Sequence, residues 1–245
     1  MSLSPEAPRP LKLAAIGDLH VNENMRQPYR DLFAKIAQEA DVLALCGDLT
    51  NFGKTPEAEI LAEDLRACTI PVVGVLGNHD YECGQPGEVI RILHEAGMRI
   101  LDGDAFEIEG VGFAGCKGFI GGYGRHMLSA FGEPEIKAFV QASVDENLKL
   151  ESSLRMLRTD RIVVVTHYSP VVDTVAGEPP EIFAFLGSAR MGETIDRFEG
   201  VKCALHGHAH RGAYEGRTTG GVPVYNVARP VLNRDLGIEY ALIEV

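Results

Sequence analysis

The sequence predicts an α/β fold, a mostly parallel sheet joined by crossover helices. Short apolar, β-branched runs alternate with amphipathic stretches in a βαβαβα order as far as Ala96. Most of these runs stop abruptly on a glycine turn followed by polar side chains, as in Val72-Val73-Gly74-Val75-Leu76-Gly77-Asn78-His79-Asp80. Such endings recur on five strands, and in open α/β sheets sites assemble beyond the carboxyl ends of the strands.

In order, Leu11–Ile16 reads as the first strand, ending in Gly17-Asp18-Leu19-His20. A helix follows around Tyr29–Ala40, with Leu32, Phe33, Ile36, Ala37 and Ala40 on one face. Val42–Cys46 is the second strand, ending in Gly47-Asp48-Leu49-Thr50-Asn51. Thr55-Pro56 fits an N-cap and first helical position, with the helix running to about Ala67. The third strand is the Val72 run, and a helix near Glu88–Ala96 follows it. Shorter strands are expected at Met98–Leu101, Ala105–Glu109 and Val111–Gly115.

Lys117–Gly132 interrupts the pattern with a glycine-rich stretch carrying Tyr123, Arg125 and His126, long for a loop without a role. Apolar spacing from Ile136 to Leu157 predicts a long helix. Arg161–Val165 is an apolar strand ending in Thr166-His167, and Val201–Leu205 another ending in His206-Gly207-His208-Ala209-His210. Short helices are expected at Ile182–Leu186 and Ala189–Phe198. Antiparallel strands are expected near Ala213–Arg217, Val222–Val227 and Gly237–Val245. One domain, 11–245, behind a flexible tail, 1–10, is the organisation this implies.

Thirty-five acidic against twenty-three basic residues give a net charge of −12, which argues against a grip on long nucleic acid. No apolar run is long enough to span a membrane. Five widely spaced cysteines without a C-x-x-C pair fit a reducing compartment, and the polar N-terminal stretch lacks a signal-peptide core, so a cytoplasmic location is expected.

Six of the eight histidines fall in the strand endings. Carboxylates, imidazoles and an amide without thiolate suit manganese, iron or zinc, and a pair of ions about 4 Å apart needs a bridging carboxylate. Asp18 with His20, Asp48, Asn78 with His79, His167, and His208 with His210 are the candidate residues. In that order these motifs resemble the set of the calcineurin-like metallophosphoesterases, over about residues 11–228.

The resemblance implies a four-layer αββα sandwich with mixed sheets. It also implies Asp18, His20 and His210 on one divalent metal, Asn78, His167 and His208 on the other, Asp48 bridging, and His79 held over the substrate. The motif after Asp48 lacks the second aspartate and arginine of protein serine/threonine phosphatases. Gly-Asp-Leu-Thr with Gly-Asn-His-Asp is more similar to small bacterial enzymes related to cyclic-nucleotide phosphodiesterases.

The expected reaction is hydrolysis of a small phosphodiester or related phosphate ester by a hydroxide shared between two ions, manganese foremost. A phosphomonoesterase, a nucleotide pyrophosphohydrolase and a non-catalytic metal-binding scaffold are the alternatives. His79 would assist the leaving oxygen. Asp80 would orient His79 or simply serve the turn. Tyr123, Arg125 and His126 would cover the substrate or stay solvated. Thr50, Asn51 and Tyr168 would lie just behind the ligands, and His206 would be strand-end structure or a supporting donor.

Overall fold

The computed structural model describes residues 9–245, so most of the tail expected at 1–10 lies outside the described residues. Two sheets stack face to face. The first has strand order β11-β1-β2-β3-β4, with β1 (Lys12–Ile16), β2 (Val42–Cys46), β3 (Val72–Val75), β4 (Met98–Ile100) and β11 (Ala241–Glu244). The second runs β5-β6-β7-β8-β10-β9, with β5 (Ala105–Ile108), β6 (Val111–Gly115), β7 (Ile162–Val165), β8 (Val201–His206), β9 (Glu215–Arg217) and β10 (Pro223–Asn226). Only the edge strands β11, β5 and β9 pair antiparallel, so both sheets are mixed.

Helices α1 (Arg30–Glu39), α2 (Thr55–Leu65) and α3 (Pro86–Glu95) cover the first sheet, and α4 (Pro134–Met156) and α5 (Ala189–Ile195) cover the second. The result is the expected αββα layering. Every residue of β2 and β7 is buried, because helices close one face of each sheet and the opposite sheet closes the other. One core joins Leu13, Leu45 and Val73 of the first sheet to Phe113, Val165 and Leu205 of the second. A separate core lies under α4 and α5, around Leu150, Leu154, Val164 and Ile195.

Two expectations need correction, and one segment without a reading takes shape. Thr55 lies inside α2, not at its cap: Glu57 reaches back and accepts the Phe52 and Lys54 N–H groups at 2.8 and 3.3 Å. β10 is antiparallel to β9 but parallel to β8, so a further carboxyl end joins the others. Between β10 and β11 the chain forms helical turns at Arg229–Val231 and Leu232–Leu236. Among the described residues no helix is long and apolar enough to cross a membrane.

Candidate metal centre

The parallel strands of both sheets deliver the polar endings to one rim. Asp18 and His20 follow β1, Asp48 follows β2, Asn78 and His79 follow β3, His167 follows β7, and His208 and His210 follow β8. Asp18 (φ 60°), His20 (φ 48°), Asp48 (φ 48°) and His208 (φ 70°) adopt left-handed backbone, four of the six non-glycine residues that do so among those described. This conformation costs about 1 kcal/mol or more each, and it persists only where surroundings impose it. Here the turns brace one another. The Asp18 and His20 N–H groups donate to Gly47 O (2.9 Å) and Asp48 O (3.0 Å). His79 N donates to Asp48 Oδ1 at 2.9 Å, and His208 N to the Asp18 carboxylate at 3.1 Å. Glycine is required beside them: a Cβ on Gly77 would lie 2.1 Å from Asp48 Oδ1, and one on Gly207 2.3 Å from Asp18 Oδ2.

Three sets of side chains bring ligand atoms within 4.8 Å of one another: Asp18, His20 and His210; His20, Asp48 and His79; and Asp48, His167 and His208. Asp48 belongs to two sets and sits between its neighbours, 3.8 Å from His20 Nε2 and 3.3 Å from His167 Nε2. His167 adds Asn78, whose Oδ1 is 3.0 Å from Nε2.

The donor chemistry fits a bound cation. Both ring nitrogens of His20 are buried without a hydrogen-bond partner among the described residues, an arrangement costing about 1–3 kcal/mol if nothing else occupies them. His167 Nδ1 faces Cys46 O at 2.9 Å and therefore carries a proton, which leaves Nε2 facing the oxygens of Asn78 and Asp48. Facing two acceptors, Nε2 must either carry a second proton or share a bound cation with them. Burial opposes charging of His167, but Asp48 overrides it and lifts the imidazole to about 9. Burial likewise opposes ionisation of Asp48, yet His167 draws that carboxyl well below the usual range.

His208 donates Nε2–H to Phe185 O at 3.1 Å, leaving Nδ1 free. Burial, reinforced by His167, pushes its imidazole down to about 4, so it stands neutral and able to ligate. The Asp18 carboxylate, 2.8 Å from His210 Nε2, raises that imidazole instead.

His79 stands at the open side. Its Nδ1–H donates to Asn51 O at 2.7 Å, and Nε2 lies 4.0 Å from Asp48 Oδ2. The imidazole thus takes its orientation from a backbone carbonyl rather than from Asp80. Asp80 is fully buried and accepts from Leu49 N (3.2 Å), Thr50 N (2.7 Å), Thr50 Oγ1 (2.6 Å) and Gly77 N (2.7 Å), tying the ends of β2 and β3 together. Burial and then the Asp48 charge push its carboxyl up to about 6, against the donors from Gly77 and Thr50. Tyr168 packs its ring 4.5 Å from that of His208. His206 is buried and neutral, lowered by burial to about 3, with Nε2 accepting from Thr174 Oγ1 at 2.7 Å.

The glycine-rich stretch is largely packed. Gly121 and Gly122 bond the backbone of Ala184 and Gly187, and buried Tyr123 donates to Ser169 O at 3.0 Å. Arg125 and His126 are exposed and pair with each other at 3.3 Å. His126 opens onto a cavity of about 350 Å³ shared with Pro180, Glu181 and Ala184, in the turn that carries Phe185. None of Tyr123, Arg125 and His126 hydrogen-bonds the clustered ligands among the described residues. Asn226, at the end of β10, escaped the strand-end reading. Its amide donates to Ala209 O at 2.8 Å and holds the Gly207–His210 turn.

Solved structures share this architecture. The phosphopantetheinyl hydrolase PptH of Mycobacterium tuberculosis matches at 17% identity and a TM-score of 0.64, covering 98% of this chain and 97% of its own. The protein TT1561 of Thermus thermophilus matches at 16% and 0.57, covering 96% and 99%. GAP50, described as the anchor in the inner membrane complex of Plasmodium, matches at 13% and 0.52, covering 90% and 72%. At such identities the likeness shows the fold alone. Among curated proteins no sequence match was found. The sequence itself matches the calcineurin-like phosphoesterase family over residues 11–212, a span that contains all seven candidate ligands and His79. On that match the chain belongs to the calcineurin-like phosphoesterase family and is a metal-dependent hydrolase acting on phosphate esters.

Proposed function

We propose that this chain hydrolyses a small phosphodiester, or a related phosphate ester, at a centre of two divalent ions, with manganese foremost and iron or zinc as alternatives. Asp18, His20 and His210 would hold one ion and Asn78, His167 and His208 the other, with the central Asp48 shared. The observation that carries this reading is His20, a half-buried imidazole whose two ring nitrogens are both buried and unpartnered between two carboxylates. When bound, two such ions supply concentrated positive charge for phosphate oxygens and acidify a water held between them.

The protein's own groups do the rest. Asn51 O fixes the Nδ1 proton of His79, so the ring presents Nε2 to the leaving oxygen and delivers a proton there from its charged form. Asp80 contributes through the backbone, by holding Thr50 and Gly77, and so the turns that carry Asp48 and Asn78. A scaffold role without catalysis is disfavoured because all seven ligand positions are filled by groups able to ligate. The acidic composition favours a small substrate over long nucleic acid, and five free cysteines favour a cytoplasmic setting.

A substrate panel tests this. With manganese present, bis(4-nitrophenyl) phosphate should be turned over, and phosphoproteins should be left intact. Rapid dephosphorylation of a phosphoprotein, together with inertness towards every diester, would overturn the proposal.

A further inference from the structure

Behind the Asp18-Leu19-His20 turn lies a polar cluster outside all of the strand-end motifs. Tyr29, buried at the start of α1, donates its hydroxyl to Leu19 O at 2.6 Å. Arg229 Nη1 donates to that hydroxyl at 3.3 Å, with the guanidinium 5.4 Å from the centre of the Tyr29 ring. The backbone of Arg229 grips the same turn from the other side, its N–H donating to Gly17 O at 3.1 Å. Tyr29 is itself fixed, since its N–H donates to Asp64 Oδ2 on α2 at 2.8 Å, and Asp64 is fully buried. Among the described residues no carboxylate pairs with Arg229, so its side chain engages the cluster through Tyr29.

The turn needs such support. Asp18 and His20 both adopt left-handed backbone, and the Leu19 carbonyl lies between them. Leu19 is 2% exposed, so without the phenol its carbonyl would lose its side-chain donor in a buried setting. A cation donating to the phenol oxygen polarises O–H towards Leu19 and strengthens that bond. The hydroxyl therefore helps to hold the Leu19–His20 peptide, one of the two that link Asp18 to His20.

We propose that Tyr29, backed by Arg229, is a positioning residue for the ion held by Asp18, His20 and His210, and sets its affinity separately from that of the neighbouring ion. This rests on the two-ion reading above. Calorimetric titration of metal-free protein with Mn²⁺, paired with electron paramagnetic resonance to separate isolated from coupled manganese, tests it.

Wild-type protein should bind two ions. Tyr29→Phe should weaken one of them about tenfold and leave the other within about twofold, with isolated manganese accumulating where the wild type shows coupled pairs. Arg229→Met should produce a smaller loss at the same ion, and little further loss in the Tyr29→Phe background. Tyr240→Phe, which removes a part-buried phenol bond to Glu39 instead, should leave both affinities unchanged. Equal weakening of both ions, no weakening of either, or the same loss in Tyr240→Phe would overturn this inference alone. A wild-type chain binding fewer than two ions would overturn the two-ion reading and this inference with it.

Discussion

His79 commits one ring nitrogen, Nδ1, to the backbone carbonyl of Asn51 and leaves the other, Nε2, facing the cluster from its solvent side, 4.0 Å from Asp48. If it donates a proton to the leaving oxygen, its importance depends on how much that oxygen needs one. Nitrophenolate departs unaided, whereas an alkoxide does not. His79→Ala should bind metal normally and lose little rate on a nitrophenyl ester. On an alkyl or ribose ester the loss should be larger by a factor approaching the roughly 10²–10⁴ of general acid catalysis. Equal losses on the two esters, or loss of bound metal, would remove it from that role. At this scale the ligand candidates were legible because strand-end carboxylates and imidazoles are side chains. The groups that aim them, Asn51 O, Cys46 O and Phe185 O, are backbone carbonyls, which any residue supplies. Tyr29 was equally hidden, since a tyrosine opening a helix reads as core.

At the scale of elements, the strands carried the clearest signal. β1, β2, β3, β7 and β8 are covered on both faces, so their sequences are nearly unbroken apolar runs. Helix starts were less legible. Thr55 has the chemistry of a cap, yet α2 begins one residue earlier because Glu57 satisfies the Phe52 and Lys54 N–H groups from within the first turn. Glu57 is 1% exposed, so Glu57→Ala strands both donors. It should lower stability by about 1 kcal/mol in urea denaturation, in the range of a lost helix cap. An unchanged midpoint would show that another group holds those donors. The antiparallel pairing of β10 with β9 was legible but its parallel pairing with β8 was not, because strand polarity within a sheet depends on tertiary pairing. The packing of the loop at 117–132 was not legible, because Gly121 and Gly122 are fastened to the 184–187 segment through backbone bonds that any residue could make.

For the whole molecule, the two sheets meet where β2 packs against β7 and β3 against β6, and the cluster crosses that junction. Asp48 comes from the first sheet and His167 and His208 from the second, while Asp18 and His20 from the first sheet meet His210 from the second. The layering was legible only through the ordered motifs, because periodicity along the chain does not say how many sheets the strands form. In the proposed two-ion centre Asp48 is the group that both ions would share. The most direct test is therefore elemental analysis of metal-replete protein, wild type beside Asp48→Ala. Two ions per wild-type chain, with affinity lost at both positions and hydrolysis abolished in the variant, is the predicted result. One ion or none in a fully active wild type, or two ions retained by Asp48→Ala, would contradict it.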